Sequence, residues 1–267
     1  MSIVNIAAYK FVSLGDPPVL RERLLATCAA LALQGTILLA AEGINLFLAG
    51  TRVAIDAFLL RLRSDARFAD IQVTESLSTT VPFGHLRVHL KREIITMRQA
   101  AIRPTQGRAP TVSATVLQRW IRRGRDDEGR EVVLLDTRNM YETALGSFTG
   151  AVTYPLARFG DFPAAIAADR VRYADKTVVP FCTGGIRCEK AALHMCELGL
   201  THVYQLDGGI LGYLAHTDGS GWYGDCFVFD QRGAVNAVLA PTADNAEVAS
   251  SAVNPGTQTA LAACNAP

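Results

Sequence analysis

The residues best suited to chemistry fall in one stretch, VVPFCTGGIRCEKAALHMCELG, from Val178 to Gly199. Its pattern predicts a buried strand that ends at Cys182, a short loop, and a helix that begins near Arg187 and stops at Gly199. A thiol at that point sits over backbone N–H groups and the positive end of a helix, both of which favour thiolate over thiol. Gly184 and Gly185 allow the loop to curl so that its N–H groups turn inward as an anion-binding nest, and Arg187 adds a positive charge. A solitary cysteine at a strand end is ordinarily packing. The strand, glycine pair, arginine and helix around this one make Cys182 the candidate nucleophile.

Spacing narrows the chemistry. Thiol phosphatases place five residues between cysteine and arginine, a cradle that matches phosphoryl oxygens. Here four, Thr183 to Ile186, separate Cys182 from Arg187, and the smaller cradle suits a sulfur carried on Cys182. Cys188 is a second candidate on the first helical turn, either a thiol that resolves an oxidised or persulfidated Cys182 or a small packing residue. Cys28 and Cys196 are assigned to the core, and Cys226 is unassigned.

The elements that must position this loop alternate along the chain. Strands are expected at Ile3–Val12, Thr36–Ala40, Ile44–Ala49, Ile71–Ser76 and Leu86–Ile95, with helices at Pro17–Leu33 and Thr51–Arg63. A β-α-β-β-α-β order is a split βαβ, ferredoxin-like arrangement, here with one extra strand leading out. Residues 99–112 are read as a linker, because they carry Pro, Gly, Thr and Arg with little apolar pattern. Ser113 caps a lead-in helix, and 113–127 form that helix and a basic segment. Beyond it, strands at Glu131–Leu135, Thr177–Phe181 and His202–Gln205 alternate with helices as in a parallel α/β sheet. Expected domains are therefore 1–98, 128–222 and a C-terminal extension at 223–240. Residues 241–267, rich in Ala, Ser, Thr, Asn and Pro, are expected to be a disordered tail.

Charge is uneven. The net charge is +1, yet residues 85–125 hold ten basic groups against one acidic residue, Glu93. Part of that excess alternates along the strand that starts at Leu86, which places Arg87, His89 and Lys91 on one outward face. Such a stripe suits a phosphate backbone or is simply solvated surface.

Composition excludes several classes. A chain of 267 residues with 49% hydrophobic and 19% charged residues has room for about two globular domains. The longest uncharged stretch, Leu24–Ala41, is broken by Thr27, Gln34, Gly35 and Thr36, so it reads as helix then strand and not as a membrane span. The N-terminus has no secretory pattern, and a cytoplasmic, reduced protein is expected. Six cysteines without a CxxC pair predict neither a disulfide framework nor a zinc site. No flavin, nicotinamide or haem motif is evident, and no metal is expected.

The loop CTGGIR resembles the active-site loop of the rhodanese superfamily, whose cysteine carries a persulfide. LDTRNMYE (Leu135–Glu142) and LDGGI (Leu206–Ile210) are similar to other landmarks of that domain, and the resemblance makes Asp136 and Arg138 scaffold. A narrower likeness spans residues 1 to 233. EGIN (Glu42–Asn45), LRVHLKREIIT, CTGGIRCEKAA, VYQLDGGIL and CFVFDQR occur in the order seen in the oxygen-dependent tRNA uridine hydroxylase family. That resemblance implies an α+β ferredoxin-like domain followed by an α/β rhodanese domain with a central parallel sheet. It implies formation of 5-hydroxyuridine at the wobble position, with tRNA as partner through its anticodon loop and molecular oxygen as co-substrate. It casts Cys182 as catalytic, Gly184, Gly185, Arg187 and Cys188 as its support, and Arg87, His89 and Lys91 as tRNA contacts. One mechanism has the Cys182 thiolate add to C6 of uracil, leaving C5 rich enough in electrons to meet oxygen. The alternatives are a sulfurtransferase acting through a Cys182 persulfide and a tRNA-binding module that needs no cysteine.

Overall fold

Side chains of Ile3–Phe11 (β1) alternate between two faces, and both faces are covered. In the computed structural model, which describes residues 2–242, Val4, Ile6 and Ala8 enter a helix-covered core while Tyr9 and Phe11 pack on the opposite side. The core side is closed by Pro17–Ala30 (α1), which starts on prolines, and by Arg52–Arg63 (α2), whose cap Thr51 accepts a hydrogen bond from the Ala54 N–H. Gln34–Ala40 (β2), Gly43–Gly50 (β3), Val73–Ser78 (β4) and Leu86–Leu90 (β5) complete a sheet in the order β4-β1-β3-β2-β5. All pairings are antiparallel except β2 with β5, so a ferredoxin-like sheet carries one added parallel edge.

β5 ends at Leu90 and does not continue to Ile95. The Ile94 N–H donates to Glu42 Oε1 at 2.8 Å, which takes that donor out of any strand ladder.

The second half starts within the expected linker. Thr111–Val112 (β6) is already a strand, and Ile102 and Ala109 are buried beside Phe162 and Met195. Their apolar side chains are too widely spaced to show a period, yet they hold 99–112 against the core. Ser113 caps Ala114–Arg123 (α3), followed by Val132–Asp136 (β7), Met140–Thr143 (α4), Gly146–Phe148 (β8) and Val152–Thr153 (β9). Phe162–Asp169 (α5), Thr177–Phe181 (β10), Ile186–Glu197 (α6), Gln205–Leu206 (β11) and Gly209–His216 (α7) come next. Parallel pairs β9-β7-β10 and β11-β6 are joined by a parallel bridge between Val178 and Val203 into a central sheet flanked by helices.

Three short strands follow: Trp222–Gly224 (β12) pairs with β8, and Cys226–Phe227 (β13) pairs with Ala234–Val235 (β14). Between the last two, the Gln231 N–H donates to Pro82 O and Arg232 donates to Ser76 Oγ, which ties this extension back to the first half. The disordered tail expected from 241 lies, past Thr242, outside the described residues. No helix among the described residues is long and apolar enough to cross a membrane.

Candidate active site

β10, buried at all five residues, delivers Cys182 to the carboxyl end of the central sheet, and α6 starts four residues later. α7 meets this loop end on. Its first N–H groups, of Ile210 and Leu211, donate to the carbonyls of Cys182 and Thr183 at 2.9 and 3.0 Å. With its carbonyls turned toward α7, the loop presents N–H groups to the sulfur, and the Gly185 N–H donates to Cys182 Sγ at 3.2 Å.

The two expected loop glycines differ. Gly185 has φ +97, and a Cβ there would lie 3.1 Å from the Tyr9 hydroxyl. Gly184 faces open space and keeps an ordinary φ, so curling the loop depends on Gly185 and not on the pair. The tighter requirement is at Gly209, with φ +61, where a Cβ would fall 2.5 Å from Cys182 O and 2.6 Å from Gly185 N.

Burial raises the Cys182 pKa, but the Cys188 thiol hydrogen bond, the Arg187 charge and the N–H groups of Arg187 and Gly185 outweigh it and bring it down to about 6. Cys188 lies fully buried with its Sγ 4.0 Å from Thr137 Oγ1, and burial pushes its thiol well up. The Cys188 N–H donates to Gly185 O at 3.0 Å, so both candidate cysteines are tied to Gly185. Cys226 is buried and pushed up to about 12, again by burial. Cys28 sits in the first core as expected, whereas Cys196 is exposed on α6 and is not a core residue.

Arg187 does not stand as a free cation. Its guanidinium forms a bidentate pair with Glu142, at 2.6 and 2.7 Å, and Glu142 Oε2 also accepts the Asn139 N–H at the start of α4. Asp136 and Arg138 form a second buried pair at 2.6 Å, with Ser147 and Gly146 O filling their remaining sites, which is a scaffold. The next residues of α6 reach into the first half. Glu189 accepts from the Tyr9 hydroxyl at 3.1 Å and lies 3.5 Å from Arg108. Lys190 donates to Glu42, Glu93 and Ile95 O at 2.9, 2.7 and 3.0 Å. Phe229, from the extension, packs on Phe47 of β3 and covers Arg187 at 5.8 Å. Cys182, 1% exposed, is thus enclosed between the two halves and the extension.

Two family models match this chain in sequence: a UPF0176 acylphosphatase like domain over residues 3–94 and a Rhodanese-like domain over residues 114–216. A tRNA uridine(34) hydroxylase of Bordetella avium is 60% identical over 241 residues, covering 90% of this chain and 100% of that protein. This chain belongs to the tRNA uridine(34) hydroxylase family. Another member, from Ralstonia nicotianae, is 59% identical over 90% of this chain and 86% of its own length. A Bordetella pertussis member is 57% identical over 91% of this chain and 99% of its own. Among solved structures, a human single domain sulfurtransferase shares 27% identity with this family member, covering 41% of it and 98% of that chain at a TM-score of 0.33.

In this family member Arg87, His89 and Lys91 are exposed at or just beyond the edge strand β5, with no hydrogen bond or ion pair to the cysteine loop. Burial, then the charges of Lys91 and Arg87, lower the His89 pKa, so the stripe's positive charge at neutral pH rests on Arg87 and Lys91. Much of the remaining basic run is spent internally, since Arg119 and Arg123 pair with Asp127 and Arg122 with Asp218. Arg98 and Arg103 instead line an open cleft with Glu42, Glu93 and Lys190. Among the described residues no cluster of three or more His, Cys, Asp or Glu is arranged to hold a metal ion.

Sequence reasoning did not find Tyr9, Glu93, Glu142, Gly209 or Phe229 as site residues. Glu42, Glu142, Gly209 and Phe229 lie within the motifs EGIN, LDTRNMYE, LDGGI and CFVFDQR, which mark positions in the chain without fixing what touches what.

Proposed function

We propose that this protein hydroxylates the wobble uridine of tRNA at C5, acting in the cytoplasm on the anticodon loop, with molecular oxygen as co-substrate. The observation that carries the reading is Cys182. A cysteine whose thiol ionises near pH 6 stands in a chain that matches tRNA uridine(34) hydroxylases over nine-tenths of its length. Its thiolate adds to C6 of uracil and the electron pair moves to C5, where oxygen is met. The loop N–H groups and Arg187, with its charge shared by Glu142, hold the sulfur as an anion before addition and after release.

Arg87 and Lys91 on the β5 edge, with Arg98 and Arg103 at the cleft, supply positive charge for phosphates around a splayed anticodon base. The persulfide alternative uses the same cysteine but asks nothing of the first half. Tyr9 and Glu42 both grip the first turn of α6, and this favours the reading that engages both halves.

The test is mass spectrometry of tRNA nucleosides from cells lacking the protein, complemented with wild type or Cys182→Ala. Loss of 5-hydroxyuridine and its derivatives, restored by wild type alone, is the expected result. An unchanged profile in cells with no second route to the modification would sink the reading.

A further inference from the structure

Inserting one atom of molecular oxygen into a C–H bond and releasing the other as water consumes two electrons beyond those of the substrate. Two thiols that become a disulfide release two electrons. Cys182 and Cys188 are placed to do so: the Gly185 N–H donates to Cys182 Sγ at 3.2 Å, and both cysteines are enclosed, at 1% and 0% exposure. The Cys188 N–H is fixed by Gly185 O at 3.0 Å, so the second sulfur is held against the loop that carries the first. Other cysteines fit less well. Cys226 Sγ turns to Phe227 O at 3.7 Å, Cys28 lies in the core of the first half, and Cys196 faces outward.

We propose that Cys188 is a second catalytic residue and that the Cys182/Cys188 dithiol is the two-electron donor of the hydroxylation, reset after each turnover by an external thiol. The proposal rests on the hydroxylase reading. The Cys182–C6 bond forms and its electron pair shifts to C5, which bonds oxygen and takes up a proton to give a C5 hydroperoxide. The Cys188 sulfur attacks the terminal oxygen and the O–O bond breaks, leaving a hydroxyl on C5 and a sulfenic acid on Cys188. The C5 proton departs and the C6–S bond breaks, which restores the ring double bond. The freed Cys182 thiolate then displaces hydroxide from the sulfenic acid, forming the disulfide, and the hydroxide takes up a proton as water. One uridine, one dioxygen and two thiols become one 5-hydroxyuridine, one water and one disulfide.

The experiment uses full-length protein, reduced and freed of reductant, with unmodified tRNA in aerated buffer. Trypsin cuts after Arg187 and puts the two cysteines on separate peptides, TVVPFCTGGIR and CEK, so a disulfide appears as their linked mass. Wild type is expected to make one equivalent of 5-hydroxyuridine per chain, form the linked peptide in equal amount, and stop until dithiothreitol restarts it. Cys188→Ser, with its fold checked by circular dichroism, is expected to lose the burst by at least about tenfold. Continued turnover by wild type without reductant, or a burst with no linked peptide, would overturn the proposal while leaving the hydroxylase reading intact. No 5-hydroxyuridine from wild type even with dithiothreitol would instead remove the hydroxylase reading, and the proposal with it.

Discussion

Cys182 is pulled in opposite directions, and the sign of the outcome sets a pH profile. Burial favours the thiol, while Cys188, Arg187 and two backbone N–H groups favour the thiolate and bring ionisation to about pH 6. The nucleophile is therefore present above that value and lost as pH falls through it. Activity should hold near neutrality and drop about tenfold per pH unit well below 6, measured as kcat/KM on unmodified tRNA. Removing the Cys188 hydrogen bond works the other way. In Cys188→Ala the thiolate absorbance of Cys182, read against Cys182→Ala, should titrate at higher pH than in wild type. Glu142→Gln would leave Arg187 buried with an uncompensated charge, and denaturant melts should show a loss of about 3 kcal/mol or more. Cys182, Arg187 and Cys188 were legible in the sequence because they lie within seven residues of one loop and helix turn. Glu142 was not. It lies 45 residues from Arg187, and a pairing at that separation exists only once β7, α4 and α6 are in place.

At the scale of elements, the loop is shaped less by its own glycines than by the helix that faces it. Gly184→Ala should retain activity within about twofold, since its added methyl meets nothing within 4 Å and its φ is ordinary. Gly209→Ala should lower kcat by more than about tenfold and reduce Tm, since its methyl would drive into Cys182 O and Gly185 N from a left-handed φ. The strand and helix order of the first half, and strands β7 and β10 of the second, followed from apolar patterning, whereas the two- and three-residue strands β8, β9 and β12 to β14 are too short to show a period. The end of β5 did not, since a side chain carboxylate of Glu42 intercepts its backbone. Nor did β6 and the packing of 99–112, where a few scattered apolar residues dock on the core without a period.

Across the molecule, the two halves are locked through Lys190, which is nearly fully buried and engages one carboxylate from the β2–β3 turn and one from the segment after β5. Lys190→Met leaves Glu42 and Glu93 facing each other without a cation. Hydrogen exchange should then speed up over Ile94–Met97 and the first turn of α6, with β1 to β4 unchanged in their interior. The cleft beside this lock should carry part of the tRNA's phosphate charge. Arg98→Ala with Arg103→Ala should weaken tRNA binding and flatten its dependence on log salt by about 0.7 to 0.9 for each phosphate that the arginines no longer neutralise.

A sulfur that ionises near pH 6 would, at the surface, be consumed by stray peroxide and electrophiles throughout the life of the protein. Almost wholly enclosed, at 1% exposure, it is spared that wear, while Cys196, exposed on α6, keeps its proton because partial burial raises its pKa.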